Sequence, residues 1–150
     1  MVFVKEIVPK PTLTFVANTV YKEHYETMKM DHSWTEAEDK REVRYSWSSK
    51  GIMHSFGVTA ERDSKELIPN SETAFITEHY WGYTKASEHS SFEYEVTHPT
   101  WQAYEVLSHE IKVDFGAVYG PSFEFLNQLQ PRSVMLAEGS EITVENKRKI

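Results

Sequence analysis

The chain has 150 residues with a net charge of −7, 39% hydrophobic and 26% charged residues, and no cysteine. That length suits one domain, residues 1–150, and the composition excludes disordered, collagenous, disulfide-stapled and thiolate-metal classes. The acidic balance argues against a nucleic-acid partner. The absence of any apolar run near ~20 residues, with Lys5 and Glu6 closely following Met1, argues against a membrane span or leader and for the cytoplasm.

Four Trp, eight Tyr and eight Phe can fill a core or line a pocket for an apolar or planar ligand. Residues 2–8 alternate with both faces largely apolar, which predicts a central strand that Pro9-Lys10-Pro11 stops. Leu13, Val16, Ala17, Val20 and Tyr21 mark one face of an amphipathic helix starting near Pro11. Residues 25–34 read as one strand, and the charged residues 36–42 as a solvated loop. Val43, Tyr45 and Trp47, then Ile52, His54, Phe56, Val58 and Ala60, alternate around Lys50-Gly51 and predict a β-hairpin.

Residues 61–70 read as a loop, after which Ser71 is placed to cap a short helix. Residues 81–85 and 91–98 give a second hairpin, residues 101–113 a strand and residues 121–129 a short helix. Residues 133–137 and 141–145 give two final strands, and Lys147-Arg148-Lys149 reads as a frayed tail. The sum is an α+β chain, mainly antiparallel β, with a few short helices. Both hairpins are expected in one strongly curved antiparallel sheet, with the residue 13–21 helix against it.

His109-Glu110 lacks the second histidine of a zinc-binding helix, and the seven histidines show no repeated ligand spacing. Phosphate-loop, dinucleotide and serine-elbow patterns are also missing. No metal and no cofactor is expected.

Several segments nevertheless form a distinctive series. They are Phe3-Val-Lys-Glu-Ile-Val-Pro-Lys-Pro11, Ala17-Asn18-x-x-Tyr21-x-Glu23-x-Tyr25, and Ile76-Thr-Glu-His-Tyr-Trp-Gly-Tyr-Thr84. His98-Pro-x-Trp101, Tyr119-Gly-Pro-x-Phe123 and Ala137-Glu-Gly-Ser140 follow. In that order they resemble the YqjF-like family, an uncharacterised bacterial group related to acetoacetate decarboxylase. The resemblance implies an acetoacetate decarboxylase-like curved sheet or partial β-barrel. It also implies that Met1 begins inside the family's domain, so that the chain is its C-terminal part. The first strand would then have a bare edge open to a second copy of the chain.

In acetoacetate decarboxylase-like enzymes a Pro-Lys-Lys segment supplies a Schiff-base lysine. Lys10 takes that place here, but Pro11 replaces the adjacent cation that would help keep its amine neutral. Lys10 is therefore the candidate for lyase chemistry on a small keto acid, or else an exposed loop lysine. Glu78 and His79 are the candidate acid–base groups. Tyr80, Trp81, Tyr83, His98 and Tyr119 are the candidate ligand-binding residues, or else aromatics that pack a core. Glu23, Tyr25 and Glu138 form a second tier. The leading expectation is a small-molecule-binding protein with an aromatic-lined barrel pocket. A decarboxylase-like enzyme and a non-catalytic interaction module are the rivals.

Overall fold

The computed structural model describes residues 4–150, so Val2 and Phe3 of the first expected strand lie outside the described residues. Strands β1 (Glu6–Val8) and β2 (Tyr25–Thr27) bracket helix α1 (Pro11–Val16) and its continuation as a π-helical turn, Ala17–Tyr21. Strands β3 (Lys29–Glu36), β4 (Lys40–Ser49) and β5 (Ile52–Lys65) follow, then helix α2 (Glu72–Thr77). Next come β6 (Trp81–Ser87), β7 (Ser90–Thr97), β8 (Ala103–Lys112) and helix α3 (Phe115–Tyr119). A 3-10 helix (Pro121–Gln128) and the short strands β9 (Leu136–Ala137), β10 (Thr143–Val144) and β11 (Arg148–Lys149) complete the chain.

These elements form two compact units. The sheet unit comprises Met28–Lys65 and Ala103–Ala137. Its five strands run in the order β3-β4-β5-β8-β9, every pair antiparallel. The β4–β5 hairpin turns on Lys50 and Gly51, at φ 50° and 81°. Two consecutive positive-φ residues twist the turn in the sense that right-handed strands require. Register shifts between Thr59 and Ala60 and between Ala60 and Ser64 put bulges into β5 where it pairs with β8. Bulges bend a strand and increase its twist, and the sheet is a strongly curled half-barrel. The expected α+β class and the curved antiparallel sheet are both present.

The second unit takes the chain up to Thr27 with Glu66–Gln102 and Glu138–Ile150. Strand β7 is its axis, paired with β6 on one side and with β10 and β11 on the other. Strands β1 and β2 form a parallel pair. The Asn18 side chain spans the backbone of Tyr25, accepting from its N–H at 2.8 Å and donating to its carbonyl at 2.9 Å. Ser71 Oγ accepts from Ala74 N–H at 3.1 Å and caps α2, as its position suggests.

Several expectations need correction. The two hairpins lie in separate sheets, because β5 continues to Lys65 and recruits β8 instead of β6. Among the described residues strand β1 pairs with β2 alone and so lies at an edge of a two-stranded pair rather than at a centre. Residues 25–34 divide at Met28 into β2 and β3, and residues 36–42 are mostly strand around a turn at residues 37–39. The anticipated apolar stripe of α1 and its π turn is half open, with Leu13 50% and Val16 47% exposed. Of the two expected late strands only Leu136–Ala137 and Thr143–Val144 pair. The basic tail is docked: β11 pairs with β7, Arg148 binds Glu93, and Lys147 lies 3.8 Å from the Phe92 ring centroid. A cation over a ring face and an edge strand with free donors offset the entropy of fraying.

Two glycines stand directly across from large side chains, Gly82 from Tyr94 and Gly57 from Arg44. A Cβ on Gly82 would lie 2.3 Å from Tyr94 Cζ, whereas one on Gly57 would lie 3.3 Å from Arg44 Cζ. The Tyr94 ring is buried and tied down, while the guanidinium is the far end of a flexible, half-exposed chain that can shift by a few tenths of an ångström. Gly82→Ala should therefore destabilise by about 1–3 kcal/mol or more, as overpacking does. Gly57→Ala should cost a small fraction of that. Urea unfolding of the two variants checks this, and equal losses would show that Tyr94 can move aside.

Candidate functional site

Strand alternation sorts the sheet unit into two faces. Ser33, Arg44, Gly57 and Glu110 are aligned on one of them by the register of β3, β4, β5 and β8. Arg44 crosses Gly57 to reach Glu110 at 2.7 Å, and Lys112 binds the same carboxylate at 2.7 Å. That carboxyl is held below its ordinary range by the bond from Lys112 and then by that from Arg44.

The opposite face is apolar and carries three rows. Trp47 and His54 are 3% and 1% exposed, and their rings stack 5.6 Å apart. In the next row but one, Val43 is 4% exposed beside half-buried Val58. Between these rows run His32, Tyr45, Phe56 and Ile111, and here the face is open: Tyr45 is 41%, Phe56 38% and Ile111 36% exposed. A groove of about 310 Å³ lies over this row, with Pro131, Val134, Met135 and Leu136 supplying another wall. Ligand pockets begin at about this volume. The alternation of Tyr45 and Phe56 was legible in the sequence. Their exposure was not, because it depends on what the segment after the 3-10 helix leaves uncovered.

The second unit gathers part of the sequence-nominated set. Helix α2 ends at Thr77, and Glu78, His79 and Tyr80 lead into β6. The Tyr80 hydroxyl donates to Glu78 Oε2, and Thr100 Oγ1 donates to the same oxygen at 3.3 Å. The bond to Glu78 pushes the Tyr80 phenol above its ordinary value. His98 lies 4.9 Å from the Tyr80 ring and 4.1 Å from the Trp101 ring, so Glu78, Tyr80 and His98 form one cluster. His79 meets the edge of Phe75 at 5.0 Å. Glu78 Oε1 and His79 Nδ1 are buried without a hydrogen-bond partner among the described residues.

The remaining nominees are dispersed. Trp81 and Tyr83 share a face of β6, where Arg148 approaches Trp81 and Tyr83 is bonded to Glu93. Lys10 is exposed at the start of α1. Tyr119 belongs to the sheet unit, in an aromatic row with Phe115 and Phe123. Among the described residues no three His, Asp or Glu are grouped to hold a metal ion, and no helix is long and apolar enough to cross a membrane.

A model of the family DUF2071, described as "Uncharacterized conserved protein (COG2071)", matches residues 1–141. The chain belongs to this family. The match bears out the YqjF-like resemblance of the motif series. No curated protein and no solved structure gives a significant match to the chain.

Within this DUF2071 chain the second-tier residues Glu23 and Tyr25 join a group that sequence reasoning left incomplete. Glu23 is 7% exposed and accepts from the Tyr94 hydroxyl at 2.7 Å. Glu6 is paired in register with Tyr25. Burial, and then the nearby charge of Glu23, raise the Glu6 carboxyl above its ordinary value of 4.5. Burial and both carboxylates push the Tyr25 phenol up to about 12. A carboxyl raised on folding binds its proton more tightly in the folded state. Stability is therefore lost as pH rises from about 4.5 through the raised value. Glu6→Gln should accordingly raise the melting temperature at pH near 7, with the gain vanishing below about pH 4.5. Thermal melts across that range check it; a variant less stable at neutral pH would show that Glu6 is needed as an anion.

Proposed function

We propose that the chain binds a small, largely apolar organic ligand on the curled sheet, over Tyr45, Phe56 and Ile111. One observation carries this reading: an open row of rings flanked by buried Trp47 and His54 on one side and by buried Val43 on the other. Water over that row contacts two aromatic rings and an aliphatic chain. Displacing it yields about 25 cal/mol for each Å² of apolar surface covered.

The surroundings add shape. The Phe56 ring rests 5.3 Å from buried Trp47, and Tyr45 stacks on His32 at 6.0 Å. A ring seated on a buried neighbour, as Phe56 is on Trp47, is partly preorganised, which lowers the ordering cost of binding. The Tyr45 hydroxyl is available to orient one polar group of the ligand. His109, on the same face as Ile111, borders the groove and places a further polar group at its edge.

Titration with the apolar fluorophore anilinonaphthalene sulfonate tests this reading. A saturable site is expected, weakened about tenfold in both Tyr45→Ala and Phe56→Ala. Phe75→Ala, which removes a ring that is 70% exposed on α2, should leave it unchanged. Equal loss in all three variants, or no saturable binding, would overturn the reading.

A further inference from the structure

We propose that His98 and Glu141 form a separate binding site for a small organic cation carrying a primary ammonium. The site lies in the unit built on β7 and is independent of the groove on the curled sheet.

The imidazole is held in place from several sides. It stacks on Trp101 at 21° and lies 4.9 Å from Tyr80. Trp101 is in turn anchored by its Nε1–H, which donates to Ser140 Oγ at 2.9 Å. His98 Nδ1 lies 2.9 Å from the carbonyl oxygen of Pro99. A carbonyl oxygen only accepts, so Nδ1 carries the hydrogen of this bond. In the neutral ring the other nitrogen, Nε2, is then a bare lone pair. Nε2 has no partner among the described residues and is not buried.

His98 lines an open groove together with Thr97, Pro99, Glu141, Ile142 and Thr143. Thr97 and Thr143 face each other across β7 and β10, so both hydroxyls lie on one side of the pair. The Glu141 side chain is exposed and has no partner among the described residues. The residues lining the groove thus bring a carboxylate, an imidazole and two hydroxyls, and among the described residues no Lys or Arg lines it. A complementary ligand brings N–H donors and positive charge. A primary ammonium supplies three donors on one charged atom, and Pro99 and Ile142 offer a wall to its carbon skeleton. A metal ion fits less well, since zinc takes three or four protein ligands and the groove offers one imidazole and one carboxylate.

The test uses the full chain with isotope-labelled histidine. Long-range proton–nitrogen correlation spectra read the tautomer of each ring, and His98→Gln assigns the His98 signals. Neutral His98 should hold its hydrogen on Nδ1. Benzylammonium chloride should shift the Nε2 signal saturably, and Glu141→Gln should weaken that binding about tenfold. Benzyl alcohol, of the same shape without charge, should leave His98 unmoved. Hydrogen on Nε2, no response to benzylammonium, an equal response to benzyl alcohol, or a response confined to zinc chloride would each overturn the proposal.

Discussion

The register of the β4–β5 hairpin is the constraint on which the sheet unit depends. Lys50 and Gly51, both at positive φ, fix Ser49 opposite Ile52, and every later pair follows from that. A slip of one residue would carry each side chain to the other face. Arg44 would lose the space above Gly57 that leads it to Glu110, and Tyr45 would no longer sit beside Phe56. One face is therefore occupied by its own ion pairs, and the other presents rings. The chemistry available to a ligand on each face is settled by a two-residue turn.

The second unit depends on a different economy of space. Its hairpin accommodates Tyr94 only because Gly82 lacks a side chain, and Tyr94 in turn supplies the hydrogen bond that Glu23 needs when buried. An ionised carboxylate taken out of water costs far more than a neutral group unless it is hydrogen-bonded. The π-helical turn that precedes Glu23 ends at Lys22, whose backbone is left-handed at φ 61° and whose carbonyl accepts from Thr84 at 2.9 Å. A local departure from α-helical geometry thus delivers a carboxylate to a buried position. Such insertions occur frequently at functional sites.

Much of this architecture was legible in the sequence, and the reasons differ by element. The hairpin across Lys50-Gly51 was readable because turn chemistry and period-two alternation agree there. The Ser71 cap was readable because the signal and its hydrogen bond are local, and the proline-initiated helices because proline's fixed φ acts at the first helical position. Strand partnership was not: nothing near Lys65 announces that β5 will pair with β8 instead of sharing a sheet with β6. The docking of Arg148 was hidden for the same reason, since Glu93 and Trp81 are distant in sequence. For the site, Glu78, Tyr80 and His98 were nominated from residue type and do come together. Tyr45 and Phe56 were read as strand packing, because alternation identifies a face and not what covers it.

The central claim, that a ligand occupies the gap over Tyr45 and Phe56, is tested most directly at Met135. Its side chain lines that groove, while Met53 is 65% exposed on β5 away from it. With the five methionine methyls isotope-labelled, a small aromatic ligand such as naphthalene methanol can be titrated and each methyl followed by NMR. The account predicts a saturable shift of the Met135 methyl, assigned through Met135→Leu, with Met53 unmoved. A Met135 signal that stays in place, or one that moves no more than Met53, would contradict it.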